Sequence, residues 1–130
     1  MIRAIALLLA LVGTGCAGLI HPSEPHVLWA KGRWSEASLE RLEAGRVLYV
    51  NECGGCHSLR QPKSRAPDRW PEIITQMEEE QDVLLDPLDR QKLVEFVMAA
   101  SAVTDEEIKA AQEAQKAAAT PPPAATEQNQ

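Results

Sequence analysis

The apolar positions of this chain recur at helical spacing in three blocks, and each block opens on a capping residue. Residues 35–52, SEASLERLEAGRVLYVNE, predict a first helix with Ser35 as N-cap and Glu36 in its first turn. Leu39, Leu42 and Leu48 supply its apolar surface, and Leu42, Gly45 and Tyr49 fall on one stripe. A glycine inside a helix costs about 1 kcal/mol against alanine. Gly45 therefore predicts the close approach of a second backbone. Residues 68–81, DRWPEIITQMEEEQ, predict a second helix, capped by Asp68 and with Pro71 in its first turn. Trp70, Ile73, Ile74 and Met77 stand at i, i+3, i+4 and i+7 and make one apolar face. Residues 86–101, DPLDRQKLVEFVMAAS, predict a third helix with Asp86 as cap, Pro87 at its first position and a stripe of Leu93, Phe96, Val97 and Ala100. TDEE, residues 104–107, is a capping box that opens a further helical stretch over 104–118. Residues 119–130 then read as a disordered tail.

The segments between these blocks carry breakers rather than strands. SLRQPKSRAP, residues 58–67, is a loop, locally basic through Arg60, Lys63 and Arg65 with Arg69 just beyond. Residues 20–34 read as a tether followed by a segment that packs on the domain, with Trp29 and Trp34 as packing anchors. No run of β-branched residues suggests a parallel strand, and no internal repeat is present. The pattern predicts an all-α fold.

The N-terminus follows a different logic. MIRAIALLLALVGTGC has one positive charge, Arg3, then an apolar run from Ala4 to Val12 that ends in small residues and a cysteine. The run is shorter than the roughly 20 residues of a spanning helix. It fits the charged and apolar regions of an export signal. The ending VGTGC resembles a bacterial lipoprotein signal, with Cys16 acylated as the new N-terminus; Gly13 stands where that pattern usually has Leu, Val or Ile. Cleavage nearby with soluble export is the alternative. The expected organisation is a signal over 1–15, a tether over 16–34, a folded domain over 35–103, the extra helical stretch over 104–118 and the tail over 119–130.

Composition narrows the possibilities. A folded part well short of the full 130 residues is marginal on apolar burial alone and calls for a staple: disulfides, a metal or a large cofactor. The net charge of −6 argues against nucleic acid as a partner, since no basic stripe could neutralise phosphates. The three cysteines, Cys16, Cys53 and Cys56, are an odd count for an exported chain. Cys16 is accounted for by lipid, which leaves Cys53 and Cys56 together in NECGGCHSL, residues 51–59.

Three chemistries compete for Cys53, Cys56 and His57. Zinc needs four ligands, usually in two separated pairs. Here no second pair exists, and His21 and His26 are isolated. A redox dithiol belongs at a helix N-terminus within a βαβ pattern, which is missing. C-x-x-C-H is the attachment signature of covalent haem. A three-residue offset on a helical turn sets both sulfurs on one side for the two vinyl groups, and His57 follows as proximal iron ligand. The export signal directs the motif to a compartment where this chemistry operates.

With these features the chain resembles a small class I-type cytochrome c domain over about residues 36–101. CGGCH and its setting carry the resemblance. GRVLY resembles the N-terminal helix of that family, in which a small residue and an aromatic meet the C-terminal helix; Gly45 and Tyr49 take those places, with Phe96 as partner. CHSLRQPKSRAPDRWPEIITQM is similar to monohaem domains in which a Trp-bearing helix after the haem loop carries a methionine. The resemblance implies three to four helices around one haem c, with Cys53 and Cys56 as thioether anchors and His57 on the iron. Met77 is the leading sixth ligand, with Met98, His21, His26 or no protein ligand as alternatives. It also implies a proline carbonyl, from Pro62 or Pro67, that orients His57.

The function expected is single-electron transfer between membrane-associated redox proteins on the periplasmic side of a bacterial membrane. No nucleic acid and no small-molecule substrate are expected. A haem-based gas sensor with an open distal side, or the haem subunit of an oxidoreductase, are the rival functions. No Ser–His–Asp set or paired catalytic carboxylates stand out, so catalysis by this chain alone is not expected.

Overall fold

A computed structural model describes residues 18–119. The expected signal segment, Cys16 and residues 120–130 of the expected tail lie outside the described residues. The described chain is all-helical: α1 (Glu24–Lys31), α2 (Leu39–Cys53), α3 (Trp70–Glu80), α4 (Pro87–Ala102) and α5 (Asp105–Ala119), with two 3-10 turns at Pro62–Ser64 and Pro67–Arg69. Among the described residues no helix is long and apolar enough to cross a membrane.

The axis of the molecule is α4. It packs against α1, α2, α3 and both 3-10 turns, and every residue from Leu93 to Ala100 is buried. The pattern predicts one buried stripe on this helix. The structure buries the residues between as well, because neighbours surround α4, and a helix enclosed in this way has no solvent face. Glu95 is one of them, with no exposed surface. Its carboxylate accepts from Arg41 of α2, Nε to Oε2 at 2.6 Å and Nη2 to Oε1 at 3.0 Å, and from Gln91 Nε2 at 3.0 Å. The fork of the guanidinium and the amide satisfy a charge that would otherwise be expensive to bury.

The costly glycine sits where α2 meets α4. A Cβ on Gly45 would lie 2.1 Å from the carbonyl oxygen of Lys92 and 2.8 Å from Phe96 Cβ. The second backbone that Gly45 requires is therefore α4. One turn on, Tyr49 packs on Phe96 with ring centroids 6.2 Å apart, and edge-on against Trp70 at 5.9 Å. These aromatics join Ile74, Leu93, Val97 and Met98 in the main core cluster.

Two boundaries differ from the pattern. The N-cap of α2 is Ser38, whose hydroxyl accepts from Arg41 N–H at 3.1 Å. Ser35 instead donates to Glu36 at 2.8 Å, and Ala37, buried between them and the cap, packs with Ala30, Leu42 and Ala99. Burial of Ala37 delays the helix, and Leu39 at its first position stays exposed. The second difference lies in residues 20–34, read as a tether and a packing segment. They contain α1, which docks on α4 and touches α2 and α5. Trp29 and Trp34 do act as anchors: their rings lie 6.3 Å apart and pack against both core clusters.

The cap of α3 differs too: Arg69 precedes the helix with no side-chain cap bond, and Asp68, expected to cap it, lies inside the 3-10 turn that Pro67 opens and accepts from Arg33 at 3.4 Å. The caps of α4 and α5 follow the sequence. Asp86 accepts from Leu88 N–H at 2.9 Å at the start of α4. Thr104 and Glu107 cap α5 reciprocally, at 2.7 Å from Thr104 N–H to Glu107 and 3.2 Å from Glu107 N–H to Thr104.

Candidate functional site

Cys53 is the last residue of α2. The helical turn expected to carry the whole motif stops there. Gly54 N–H still donates to Val50 O at 3.2 Å, and then residues 54–57 bend away. Two adjacent glycines, Gly54 and Gly55, make continued helix unfavourable and the bend cheap. Cys53 is half-buried against the core cluster, while Cys56 and His57 are exposed. Both thiols are free. Burial, and then the nearby Glu52 charge, push the Cys53 thiol up to about 11, so it stays protonated at neutral pH.

The imidazole of His57 is oriented. Its Nδ1 lies 2.9 Å from the carbonyl oxygen of Ser58. A carbonyl only accepts, so Nδ1 carries the proton and the lone pair of the neutral ring is on Nε2. The family resemblance implies a proline carbonyl, of Pro62 or Pro67, in this orienting role. The structure gives it to Ser58, because the prolines are engaged elsewhere: Pro62 O accepts from the Trp70 indole at 3.0 Å, and Pro67 O accepts from the Trp70 backbone N–H. The donor set thus comprises two unpaired thiols and an imidazole nitrogen, all within five residues at the end of one helix. Two thioether anchors and one nitrogen ligand to haem iron require that set, and the residues fit it.

The loop after the motif is held more firmly than its polar sequence suggests. Tyr49 OH donates to Arg60 O at 2.7 Å, the Trp70 indole holds Pro62, and Ser101 Oγ donates to Arg65 O. Burial, and then the Cys53 charge, push the Tyr49 hydroxyl up to about 12 against the lowering influence of Arg60. It therefore remains a donor throughout the neutral range. Of the basic side chains expected here, Lys63 pairs with Asp105 and Arg69 with Glu72 at 2.8 Å. Among the described residues, no carboxylate partner is seen for the side chains of Arg60 and Arg65.

The sixth-ligand candidates separate by burial. Met98 is 6% exposed and belongs to the core cluster. His26 is buried in α1 with its Nδ1 on Ser23, and His21 is an exposed side chain 3.4 Å from Glu43. Met77 ends the predicted apolar face of α3. Trp70 and Ile74 on that face are buried, Ile73 is half-buried on the core, and Met77 is half-buried. Among the described residues that pack on the core cluster, Cys53, Leu59, Ile73 and Leu85 appear and Met77 does not.

Residues outside any motif fix the place of α3. Arg90 of α4 donates to Glu78 at 2.8 Å and to Thr75 Oγ1 at 2.7 Å, clasping α3 on both sides of Met77 in sequence. Neither Arg90 nor the Arg41–Glu95 pair was singled out by sequence reasoning. The spacing of a charged residue on a helix gives no signal of a partner on another helix. No family model, no curated protein and no solved structure matches this chain.

Proposed function

We propose that this chain is an exported, lipid-tethered electron carrier with one covalently attached haem c, held in a class I cytochrome c-like arrangement of helices. The observation that carries the reading is the end of α2, where Cys53, Cys56 and His57 occupy one short turn and Ser58 leaves the lone pair of His57 on Nε2. A bound haem supplies a reversible one-electron couple.

The residues of the chain divide the remaining work. Cys53 and Cys56 would anchor the group by thioether bonds, and His57 would bind iron through Nε2. Met77, half-buried and not packed into the core cluster, is the residue of α3 suited to be the second axial ligand. A thioether there favours Fe(II) and raises the potential relative to two histidines. Cys53 packs against the cluster that holds Tyr49, Trp70 and Phe96, which gives the motif an apolar flank. Arg60 and Arg65 are available to haem carboxylates or an acidic partner. Protein redox partners at the membrane, reached through a lipid on Cys16, fit a single-electron carrier.

The test is the visible spectrum of the exported protein and of Met77→Ala. A low-spin oxidised spectrum with a sulfur–iron charge-transfer band, lost in Met77→Ala, is the expected outcome. High-spin iron that binds carbon monoxide at once would replace the carrier with a gas sensor. Stable co-purification with a larger catalytic subunit would make the chain part of an oxidoreductase.

A further inference from the structure

His26 is the one histidine that the structure buries, at 1% exposed. It occupies the third position of α1, and its Nδ1 lies 3.0 Å from Ser23 N and 2.9 Å from Ser23 Oγ. The place is that of the Glu or Gln in a capping box, which reaches back to the N-cap amide. A backbone N–H can only donate, so Nδ1 accepts and the proton of the neutral ring is on Nε2. That Nε2 is buried and has no partner among the described residues.

Protonation attacks this arrangement at two points. The added proton goes onto Nδ1, turning it from an acceptor into a donor that faces the Ser23 amide. The cation that results is buried, and no acceptor meets its other nitrogen. The charged groups that face it from neighbouring elements are Lys63, from the first 3-10 turn, and Glu107, from α5. Lys63 repels the cation. Glu107 favours it, but its carboxylate already accepts from Thr104 N–H and Oγ1 at 2.7 and 2.9 Å. From α2 and α4, the apolar side chains Leu42 and Ala99 pack with Ala30 of α1. Glu43 of α2 is engaged with Arg46 at 2.7 Å and with His21 at 3.4 Å.

We propose that His26 is an acid-sensitive latch: the neutral ring keeps α1 docked on α4 and α5, and its protonation releases α1 from the bundle. Burial first and Lys63 second hold its pKa below the ordinary 6.5, in keeping with a site that accepts the neutral ring only. Beside His26, the helix is held by apolar packing of Trp29 and Ala30 on the core clusters, which a buried cation next to them would oppose. α1 has eight residues, too few to be stable when undocked, and its direct bond to α5 is an exposed one, Gln115 to Glu24 at 2.9 Å. Release would add α1 to the connector between the expected anchor at Cys16 and the bundle, extending the reach of the domain from the membrane in acid. The latch stands on α1 alone and is independent of the haem reading.

Hydrogen exchange on the full exported protein tests it, after correction for the intrinsic pH dependence of exchange. Between pH ~7.5 and ~5, protection of residues 24–34 should fall about tenfold or more while that of 93–100 holds. His26→Asn keeps an acceptor near the Nδ1 position and cannot titrate, so its protection should not change with pH. Glu107→Gln keeps the capping box and removes the charge that favours the cation in the docked state, so the docked fold tolerates protonation less and its release midpoint should move to higher pH. Unchanged protection of 24–34 in the native chain at pH ~5 would overturn the latch. If His26→Asn is already open at neutral pH, the native and Glu107→Gln midpoints decide, and identical midpoints overturn it.

Discussion

The α2–α4 joint and the turn at the end of α2 are consecutive in sequence and opposite in character. In the joint, Gly45 admits the Lys92 carbonyl where a Cβ would be 2.1 Å away, and Arg41 closes on the buried Glu95 at 2.6 Å. In the turn, Cys56 and His57 are exposed and only Cys53 and Leu59 reach the core. Residues that hold the frame are dense and mutually satisfied, whereas residues able to bind a group keep their reactive atoms outside that network. One helix serves both purposes because its first three turns are clamped and its last residue ends at a glycine pair.

Substitutions should separate the two regions by size of effect. Arg41→Ala leaves the Glu95 carboxylate buried without its fork and should lower the unfolding free energy by about 3–5 kcal/mol in urea titrations. A loss under about 1 kcal/mol would mean that Gln91 and solvent replace Arg41. Gly45→Ala gains helix propensity but forces α4 away, with a net cost of about 2–3 kcal/mol by the same measurement. Trp70→Phe keeps the packing and leaves Pro62 O without its indole donor. It should cost about 1–2 kcal/mol and increase hydrogen exchange in residues 58–67.

Alkaline pH probes the joint without mutation. Tyr49 is held at about 12 in the fold against an ordinary 10.0, so the folded state keeps the phenol proton longer than the unfolded chain does. Its contribution is full below pH 10.0 and is lost as pH rises from there to about 12. Urea midpoints should fall across that window, and Tyr49→Phe should flatten the fall. The smallest effect belongs to the turn. Cys56→Ser should change helix content and urea stability by no more than about 0.5 kcal/mol; on the proposed haem attachment it should also leave a single thioether, seen as a pyridine haemochrome band at longer wavelength. A stability loss as large as that of Gly45→Ala would erase the distinction between frame and turn.

The parts legible in the sequence share a physical feature. The cap at Asp86, the Thr104–Glu107 box, the face of Trp70, Ile73, Ile74 and Met77, and the motif itself are all set by residues within a turn or two of one another. Gly45 is the informative exception. Its local cost signalled a distant contact without naming the partner as Lys92. The pattern does not predict a helix at residues 24–31, because its apolar residues Val27–Ala30 are consecutive and the partner of the Ser23 cap at the third position is a histidine, where a capping box has Glu or Gln. The orienting carbonyl was assigned to a proline by family likeness, and the structure assigns it to Ser58 because Trp70 engages both prolines.

By itself, then, the sequence determined the helical periods, the caps of α4 and α5, the need for a close crossing at Gly45 and the chemistry available at Cys53, Cys56 and His57. Each of these follows from short-range sterics, local hydrogen bonding or the identity of adjacent side chains. Only the tertiary structure decided that α4 is enclosed from Leu93 to Ala100, that Glu95 is buried on an arginine 54 positions away, that Met98 is core while Met77 is not among the residues packed on it, and that His26 of α1 is buried. Those outcomes depend on which surfaces meet. The free energy of burial is settled by the neighbours a side chain acquires, and its place in the chain does not name them.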